Sequence, residues 1–484
     1  MKRYLALLLT LILLCLTACS LTAVPDDVSS QAGSVDETSS AGSETVGEVD
    51  STVSSSPSPD GESVDSTPSG GIPSASESSG PDGSRSESST YVKPTPLSYD
   101  DLRISPAVEY VQEDASPSDE FLAAVRDFSY TSSAQVLSGR AENTIYCPTS
   151  VYYSMALLAA GAGGATRDQI LSALGLSGQS NDAFALQCQL LSCHTRQESE
   201  DSTFLTANSL WVRRGLTLQP DFGRIAAERF FAPVYAVDFA DPATAGWMQD
   251  WVADNTKGLI RPSVQPDPDA ALYLCNTIYL KGKWARPFFE SSTSEGTFTQ
   301  EDGTQITCDF MHDTRSSVFV RGSGYTRGDL EVRGIGTMSF LLPDEGVSLD
   351  TLLHSPDQLA AMLAPVDALP TSVEYSIPKV DIESNVSLRE PLEAMGIRDA
   401  FHPDSADFGP MVDHVSRLYV GEVEQGARLF WDEEGIEAAA YTEILMKEDG
   451  SIMTPNKLVL DRPFLFVLHN DQGILFIGAC YRPN

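Results

Sequence analysis

The stretch from Asp432 to Gly450 has the sequence D-E-E-G-I-E-A-A-A-Y-T-E-I-L-M-K-E-D-G. Apolar or small side chains alternate with polar ones, a period of two that is typical of a half-buried strand. The residues that share the apolar face are Ile436, Ala438, Ala440, Thr442, Ile444 and Met446. Because the middle of this face is small, the segment could enter between two existing strands without steric conflict.

The same stretch is also compatible with a surface helix. Ala, Glu, Leu, Met and Lys are strong helix formers. Glu433 and Glu434 would suit the N-terminus of such a helix, and Lys447 would suit its C-terminus. Propensity alone favours the helix, so the choice between the two depends on the surrounding sequence.

The motif E-E-G-x-E-A-A-A at the start of this stretch resembles the reactive-loop hinge of the serpins, protease inhibitors that insert a strand into their own sheet. Other blocks resemble the same family and occur in its order. They are C-P-T-S at 147–150 with G-A-G-G-A-T at 161–166, N-T-I-Y-L-K-G-K-W at 276–284, I-P-K, L-R-E-P-L and M-G-I-R-D-A-F between 377 and 401, and R-P-F-L-F at 462–466 with I-L-F-I-G at 474–478. Together they cover the chain from Ser118 to its end.

The expected fold class is α+β. Helical patterns come first, at Phe121–Tyr130, at Pro148–Ala160 and after Thr166 as N-cap, whereas strand patterns dominate later. The resemblance implies the serpin fold, with three β-sheets, about eight or nine helices and an exposed reactive-centre loop.

The first hundred residues differ in composition from the rest. Residues 1–18 have a Lys-Arg start and a short apolar run that ends in Leu-Thr-Ala-Cys, which is typical of a lipoprotein signal cut before Cys19. Residues 19–100 are acidic and rich in Ser, Gly and Pro, which predicts a disordered tether. The folded domain is expected at 101–484, with its core from about residue 117. These features predict a bacterial cell-surface lipoprotein, extracytoplasmic and held in the membrane by lipid on Cys19.

Charge and cysteine usage exclude several classes of partner. The formal net charge of −37 argues against nucleic acid. The eight cysteines form no C-x-x-C pair, so neither a metal site nor a cofactor is expected. Whether Cys188 and Cys193 form a disulfide stays open. The chain is expected to be a monomer.

Hydrolase chemistry has no signature in this sequence. It contains no G-x-S-x-G, no H-E-x-x-H and no P-loop motif. Its histidines each stand alone, and its carboxylates are too numerous for a pair to be informative. The chain is therefore not expected to be an enzyme.

The resemblance implies a single-use inhibitor of serine or cysteine proteases. The protease cuts the exposed loop and forms an acyl-enzyme, and the cleaved loop then inserts into the main sheet before water can release it. The hinge that starts this insertion matches Glu433, Glu434, Gly435, Ile436, Glu437, Ala438, Ala439 and Ala440. The partner is thus a target protease held in a covalent complex.

The family also has a region where the sheet opens, which matches Cys147, Ser150, Asn276, Trp284 and Gln425. Ile436 stands where the family usually has Thr or Ser, Cys147 replaces a Ser, and Gln425 replaces a His. Asn276, Ser150 and Gln425 are still expected to hydrogen-bond, so this polar cluster is altered and retained.

The scissile bond is expected near the C-terminal end of the loop. The family's usual spacing from Gly435 gives Asp449–Gly450 as the first choice, which implies a protease with a basic primary pocket. Lys447–Glu448 is the second choice and suits a trypsin-like enzyme, and the region of Ile452 is the third.

Two other functions share parts of this sequence. A serpin-fold carrier or surface-display scaffold would keep the fold without inhibition, but the alanine-rich hinge favours the inhibitor. A solute-binding lipoprotein would share the signal and the tether, and it would need a different domain pattern.

Overall fold

The computed structural model describes residues 13–23, 93–98, 100–102, 115–258, 260–366, 369–415, 417–436 and 454–483. Within these ranges the chain forms nine α-helices and three β-sheets. The helices are α1 Asp119–Leu137, α2 Pro148–Ala160, α3 Gly164–Ala173, α4 Asn181–Thr195, α5 Pro220–Glu228, α6 Pro242–Asn255, α7 Leu349–Leu353, α8 Pro356–Leu363 and α9 Arg389–Ala394. The expected α+β fold is confirmed.

The main sheet has eight strands. Its order is β13-β14-β1-β6-β4-β3, with β5 beside β4 and β15 beside β6. The strands are β1 Leu13–Ala23, β3 Gln197–Glu198, β4 Ser202–Arg213, β5 Val234–Val237, β6 Ala270–Lys283, β13 Val380–Ser387, β14 Leu418–Trp431 and β15 Gly435–Ile436.

The other two sheets complete the domain. The second has the order β2-β18-β17-β11-β10-β9 and the third β16-β12-β8-β7. Their strands are β2 Thr144–Tyr146, β7 Ser294–Thr299, β8 Gln305–Ser317, β9 Phe319–Arg321, β10 Tyr325–Val332, β11 Gly336–Pro343, β12 Thr371–Pro378, β16 Asn456–Val459, β17 Phe464–Asn470 and β18 Gly473–Cys480.

Helix α2 lies beneath the main sheet, and its sequence explains why. It is nearly apolar all round, with Thr149, Ser150 and Ser154 as exceptions, and all of its residues are buried. It packs on β1 and β6 above and on α1, α4 and β18 around it, as expected for a helix without a polar face. Its bounds coincide with the predicted Pro148–Ala160.

The predicted N-cap of α3, Thr166, lies three residues after the observed one. The helix begins at Gly164 with Gly163 as N-cap, so Thr166 lies within its first turn. The Thr166 hydroxyl instead accepts a hydrogen bond from the Asp407 amide at 3.0 Å. A threonine just before an apolar pattern is a typical cap signal, but here it ties the helix to a distant loop.

Strand β1 is a central strand of the main sheet, although the sequence analysis assigns its residues to the leader and the tether. It is antiparallel to β6 on one side and to β14 on the other. Residues 13–18 belong to the predicted signal, and Cys19 is the predicted lipidation site. The predicted cleavage site therefore falls inside this strand.

A second N-terminal segment, Lys93–Ser98, lies against the domain. The Leu97 amide donates to the Val234 carbonyl at 2.7 Å, and Lys93 forms an exposed ion pair with Asp254 at 3.3 Å. Contacts with the domain thus begin before the predicted boundary at Asp101. None of the helices in the described ranges is long and apolar enough to cross a membrane.

Candidate functional site

The candidate site is the space between β6 and β14, called the strand slot from here on. Both flanking strands have 14 residues. They are antiparallel to the same middle strand, so any strand between them must pair along both of its edges. A central strand of this kind gains a full set of ladder hydrogen bonds.

The two faces of the slot differ in polarity and space. On the inner face, Asn276 of β6 and Gln425 of β14 point toward α2 and are at most 1% exposed. On the outer face, a cavity of about 560 Å³ lies between α6 and the sheet. Its lining includes Cys275 on β6 and the exposed Glu422 and Glu424 on β14. A side chain pointing inward therefore enters a buried layer, and one pointing outward enters an open space lined by both acidic and basic side chains, Arg261 and Arg428 among them.

A chain of hydrogen bonds crosses the inner face beneath β6. The Ser150 hydroxyl of α2 donates to Asn276 Oδ1. Asn276 Nδ2 in turn donates to Asn208 Oδ1 at 2.7 Å, and Asn208 Nδ2 donates to the Phe230 carbonyl at 2.8 Å. The expected bond between Asn276 and Ser150 is present, and it extends to Asn208, which the sequence analysis missed.

Gln425 holds the other wall of the slot to the start of α2. Its Oε1 accepts from the Cys147 amide at 2.7 Å, and its Nε2 donates to the Cys147 carbonyl at 3.0 Å. Cys147 is the N-cap of α2, and its thiol makes no capping hydrogen bond. The glutamine amide thus uses a donor and an acceptor on one backbone unit, a match that one imidazole ring could not make.

The hinge begins where β14 ends, and Trp284 anchors it. The indole Nε1 donates to the Asp432 carbonyl at 2.8 Å, and the Trp284 amide donates to the Glu434 carbonyl at 3.0 Å. The Phe288 amide donates to the Glu433 carbonyl at 2.7 Å. Trp284 is fully buried, so these bonds form away from water and fix the backbone of all three acidic residues.

The partly buried carboxylate of Asp432 and the buried carboxylate of Glu433 have opposite pKa shifts. Burial raises the pKa of Asp432, although its Oδ1 accepts from the amides of Glu434 at 2.9 Å and Gly435 at 3.4 Å. Burial also opposes ionisation of Glu433, but hydrogen bonds from Lys379 and Thr293 outweigh it and lower its pKa. Lys379 Nζ lies 2.7 Å from Glu433 Oε1.

Gly435 and Ile436 form β15 and begin to fill the slot. Gly435 pairs with Lys283 and Ile436 with Gly282, antiparallel to β6. A Cβ atom on Gly435 would lie 2.4 Å from the Gly282 carbonyl oxygen. The backbone of β15 can therefore lie this close to β6 only because residue 435 is glycine. Ile436 is fully buried. These two residues are in a strand, as the alternation predicts, and not in the alternative helix.

The remaining predicted loop residues lie outside the described residues. They are Glu437, Ala438, Ala439, Ala440, Lys447, Glu448, Asp449 and Gly450. Of Cys19, the structure describes the backbone within β1. Cys188 is a buried and Cys193 an exposed free thiol.

Lys379 and Thr293 are functional contacts that the sequence analysis did not identify. Lys379 belongs to the I-P-K block quoted there, but nothing in its local pattern shows that it faces Glu433. One signal was available, because lysine is scarce in this acidic chain and this one directly follows a predicted buried strand.

A cluster of Ser339, His469 and Asp329 has the residue types of a hydrolase triad but not its order. The serine hydroxyl contacts both Asp329 Oδ1 at 2.7 Å and His469 Nε2 at 2.9 Å, whereas a triad needs histidine in the middle. Ser339 is fully buried, and burial lowers the pKa of His469 to about 4. Across the described ranges, no group of three metal-ligating side chains occurs.

Comparison with known proteins gives consistent matches. The family model described as Serpin (serine protease inhibitor) matches residues 123–483. Serpin-ZXA from Oryza sativa subsp. japonica is 30% identical over 372 residues, which cover 73% of this chain and 93% of that protein. Plasminogen activator inhibitor 1 from Sus scrofa is 29% identical over 412 residues, covering 79% and 98%. The native-state crystal structure of tengpin, a thermophilic serpin, has a TM-score of 0.71 at 24% identity and covers 81% of this chain and 100% of that one.

Proposed function

The chain belongs to the serpin family, and we propose that it is an inhibitor of serine endopeptidases that traps its target by inserting the cleaved reactive loop into the strand slot. A cysteine endopeptidase would be trapped by the same chemistry. The protein then acts as a consumed substrate and not as a catalyst.

One observation carries this proposal. Strand β15 already pairs with β6 at one end of the slot and runs antiparallel to it, which is the direction that an inserting loop needs. An inserted loop that continues this register would place Ala438 opposite Leu280, Ala440 opposite Ile278 and Thr442 opposite Asn276. The small residues of the hinge would therefore meet the inner face first, where the layer is buried and packed.

The chemistry follows from the loop being cut as a substrate. The hydroxyl or thiol of the protease attacks the carbonyl carbon of the scissile bond and forms an ester or thioester. The C–N bond breaks, and the amine of the C-terminal fragment leaves with a proton from the protease. Inhibition requires the loop to insert before water attacks this ester.

The hinge geometry favours fast insertion after the cut. Three side chains, those of Trp284, Lys379 and Thr293, hold the backbone and carboxylates of residues 432–434 in place. The residues that lead into the new strand are therefore ordered before the loop is cut. Pre-organisation of this kind removes ordering entropy from the step that competes with hydrolysis.

Location and target belong to the same proposal. Lipid on Cys19 would hold the protein at the outer face of a bacterial membrane, with residues 19–100 as a tether. The favoured scissile bond is Asp449–Gly450 and the second choice is Lys447–Glu448. The strongly acidic chain would favour encounter with cationic proteases.

A protease panel tests this proposal. The processed chain is incubated with enzymes that cut after acidic, basic or large apolar residues, and denaturing gels detect a complex that survives boiling. Mass spectrometry of the released C-terminal peptide identifies the bond. A peptide that begins at Gly450 supports the first choice, and one that begins at Glu448 supports the second. Cleavage by every enzyme without a stable complex would instead favour a non-inhibitory carrier or display scaffold.

A further inference from the structure

The strand slot is already occupied, and its occupant is the N-terminus of the same chain. We propose that Leu13–Ala23 is a built-in plug that keeps the unprocessed protein unable to insert its loop, and that cleavage before Cys19 opens the hinge end of the slot. This inference rests on the proposed function, because it concerns when the inhibitory machinery becomes competent.

The plug and the hinge meet end to end. On β6, Ile436 of the hinge pairs with Gly282, and Leu13 of the plug pairs with Leu280. A single β6 residue, Lys281, separates the two. The hinge therefore fills the first positions of the slot, and the plug occupies the positions that follow.

The plug and the inserted loop would occupy the same positions in the same direction. Both are antiparallel to β6. The register of β15, continued along β6, places Thr442 opposite Asn276, and in the structure Thr17 pairs with Asn276 on β6 and with Gln425 on β14. Since the slot has room for one strand, the two segments exclude each other from Ala438 onward.

The composition of the plug suits a central strand. Its sequence, L-L-C-L-T-A-C-S-L-T-A, contains no charged residue, as is usual for strands buried on both faces. The loop that would replace it carries Glu443 and Lys447. The plug thus needs no charged side chain to reach solvent from the middle of the sheet.

Processing would remove the part of the plug that blocks the hinge. A lipoprotein signal endopeptidase adds water across the Ala18–Cys19 peptide bond, so that Ala18 gains a carboxylate and Cys19 a free amine. The segment that leaves, Leu13–Ala18, pairs with Cys275–Leu280 on β6. Those are the positions that Ala438 to Glu443 would take, so the slot opens from the hinge end.

The test holds the chain unprocessed by Cys19→Ser and measures slot occupancy directly. Ala18 pairs with Cys275, and residues opposite each other in an antiparallel pair are close enough for a disulfide when both are thiols. We expect Ala18→Cys in this background to cross-link to Cys275 under mild oxidation. The neighbouring Thr17→Cys pairs with Asn276 and should not cross-link to Cys275.

The inhibitory consequence is measured with a protease that the processed chain traps. We expect the protease to cut the unprocessed chain but to form at least tenfold less of the stable covalent complex with it than with the processed chain. Thr17→Pro removes a ladder donor from the plug and should restore trapping, whereas Ser40→Pro in the tether should not. The plug is refuted if position 18 does not cross-link to Cys275, or if the unprocessed chain traps protease as well as the processed one. If the processed chain traps nothing, the proposed function fails, and the cross-link still decides whether the plug occupies the slot.

Discussion

Replacing Thr442 by arginine in the processed chain should convert the inhibitor into a substrate. If the loop inserts in the register that β15 starts, position 442 would lie between Asn276 and Gln425 and would face α2. The four residues around it, Cys147, Ser150, Asn276 and Gln425, are at most 1% exposed, and none carries a negative charge. An arginine there would be buried without a partner.

The size of the effect follows from the cost of that charge. An unpaired buried charge costs about 3–5 kcal/mol. Because each 1.36 kcal/mol changes a rate tenfold, insertion should slow by roughly 100-fold or more if this cost is present in the transition state of insertion. The rate of hydrolysis of the acyl-enzyme is unaffected, so hydrolysis should then be faster than loop insertion.

Glu443→Arg is the matched control. After insertion, the same register would place position 443 opposite Cys275 and Glu424 on the outer face, beside a cavity of about 560 Å³. An arginine there has room and finds Glu422 and Glu424 as partners. The introduced side chain and its location are nearly the same as in Thr442→Arg, although the charge changes by two units instead of one, and the face of the strand differs.

The assay uses a protease that the unmodified processed chain traps. This enzyme is titrated with each variant, and the moles of inhibitor consumed per mole of enzyme inactivated are measured. We expect a value near that of the unmodified chain for Glu443→Arg and one at least tenfold higher for Thr442→Arg, with cleaved inhibitor accumulating. Equal values for the two variants would refute both the register and the assignment of the inner face.

Three further changes test the hinge and the core. Gly435→Val places a Cβ atom 2.4 Å from the Gly282 carbonyl oxygen; β15 should undock and lose the burial of Ile436, about 1.5–3 kcal/mol, seen as faster amide exchange at 432–436. Lys379→Met removes the main partner of Glu433 and raises the pKa of that carboxyl, and a red shift of Trp284 fluorescence should report the loosened hinge. The pKa of His469 is about 4 in the folded chain and about 6.5 in the unfolded chain, so the unfolded chain binds more protons between these two pH values. The free energy of unfolding should therefore fall by about 3 kcal/mol as the pH drops through that window. His469→Gln should flatten this pH dependence in thermal melts.

Much of the fold could be predicted because its strongest patterns are local. The nearly apolar run of α2 and the continuous apolar runs of the last two strands stand out in the sequence. Strand β14 was not predicted, since Gln425 interrupts the apolar set on its buried face. A buried glutamine that bonds a distant backbone cannot be distinguished from a surface glutamine by periodicity.

The hinge was predicted from its motif, but its anchors were not. Trp284 was expected at the opening of the sheet, and the structure shows that it also binds the backbone of Asp432 and Glu434. Contacts with Lys379 and Thr293 join residues far apart in the chain, and no local pattern encodes such pairing. The plug was missed for another reason, because a short uncharged apolar run has the same pattern in an export signal and in a buried strand.

The most direct test of the central claim is amide hydrogen exchange of the processed chain before and after a single cut in the loop. If the loop enters the slot, the amides of residues 437–447 should become protected by at least 100-fold after the cut, and those along β6 and β14 should also exchange more slowly. Exchange in 437–447 that is as fast after the cut as before it would contradict insertion.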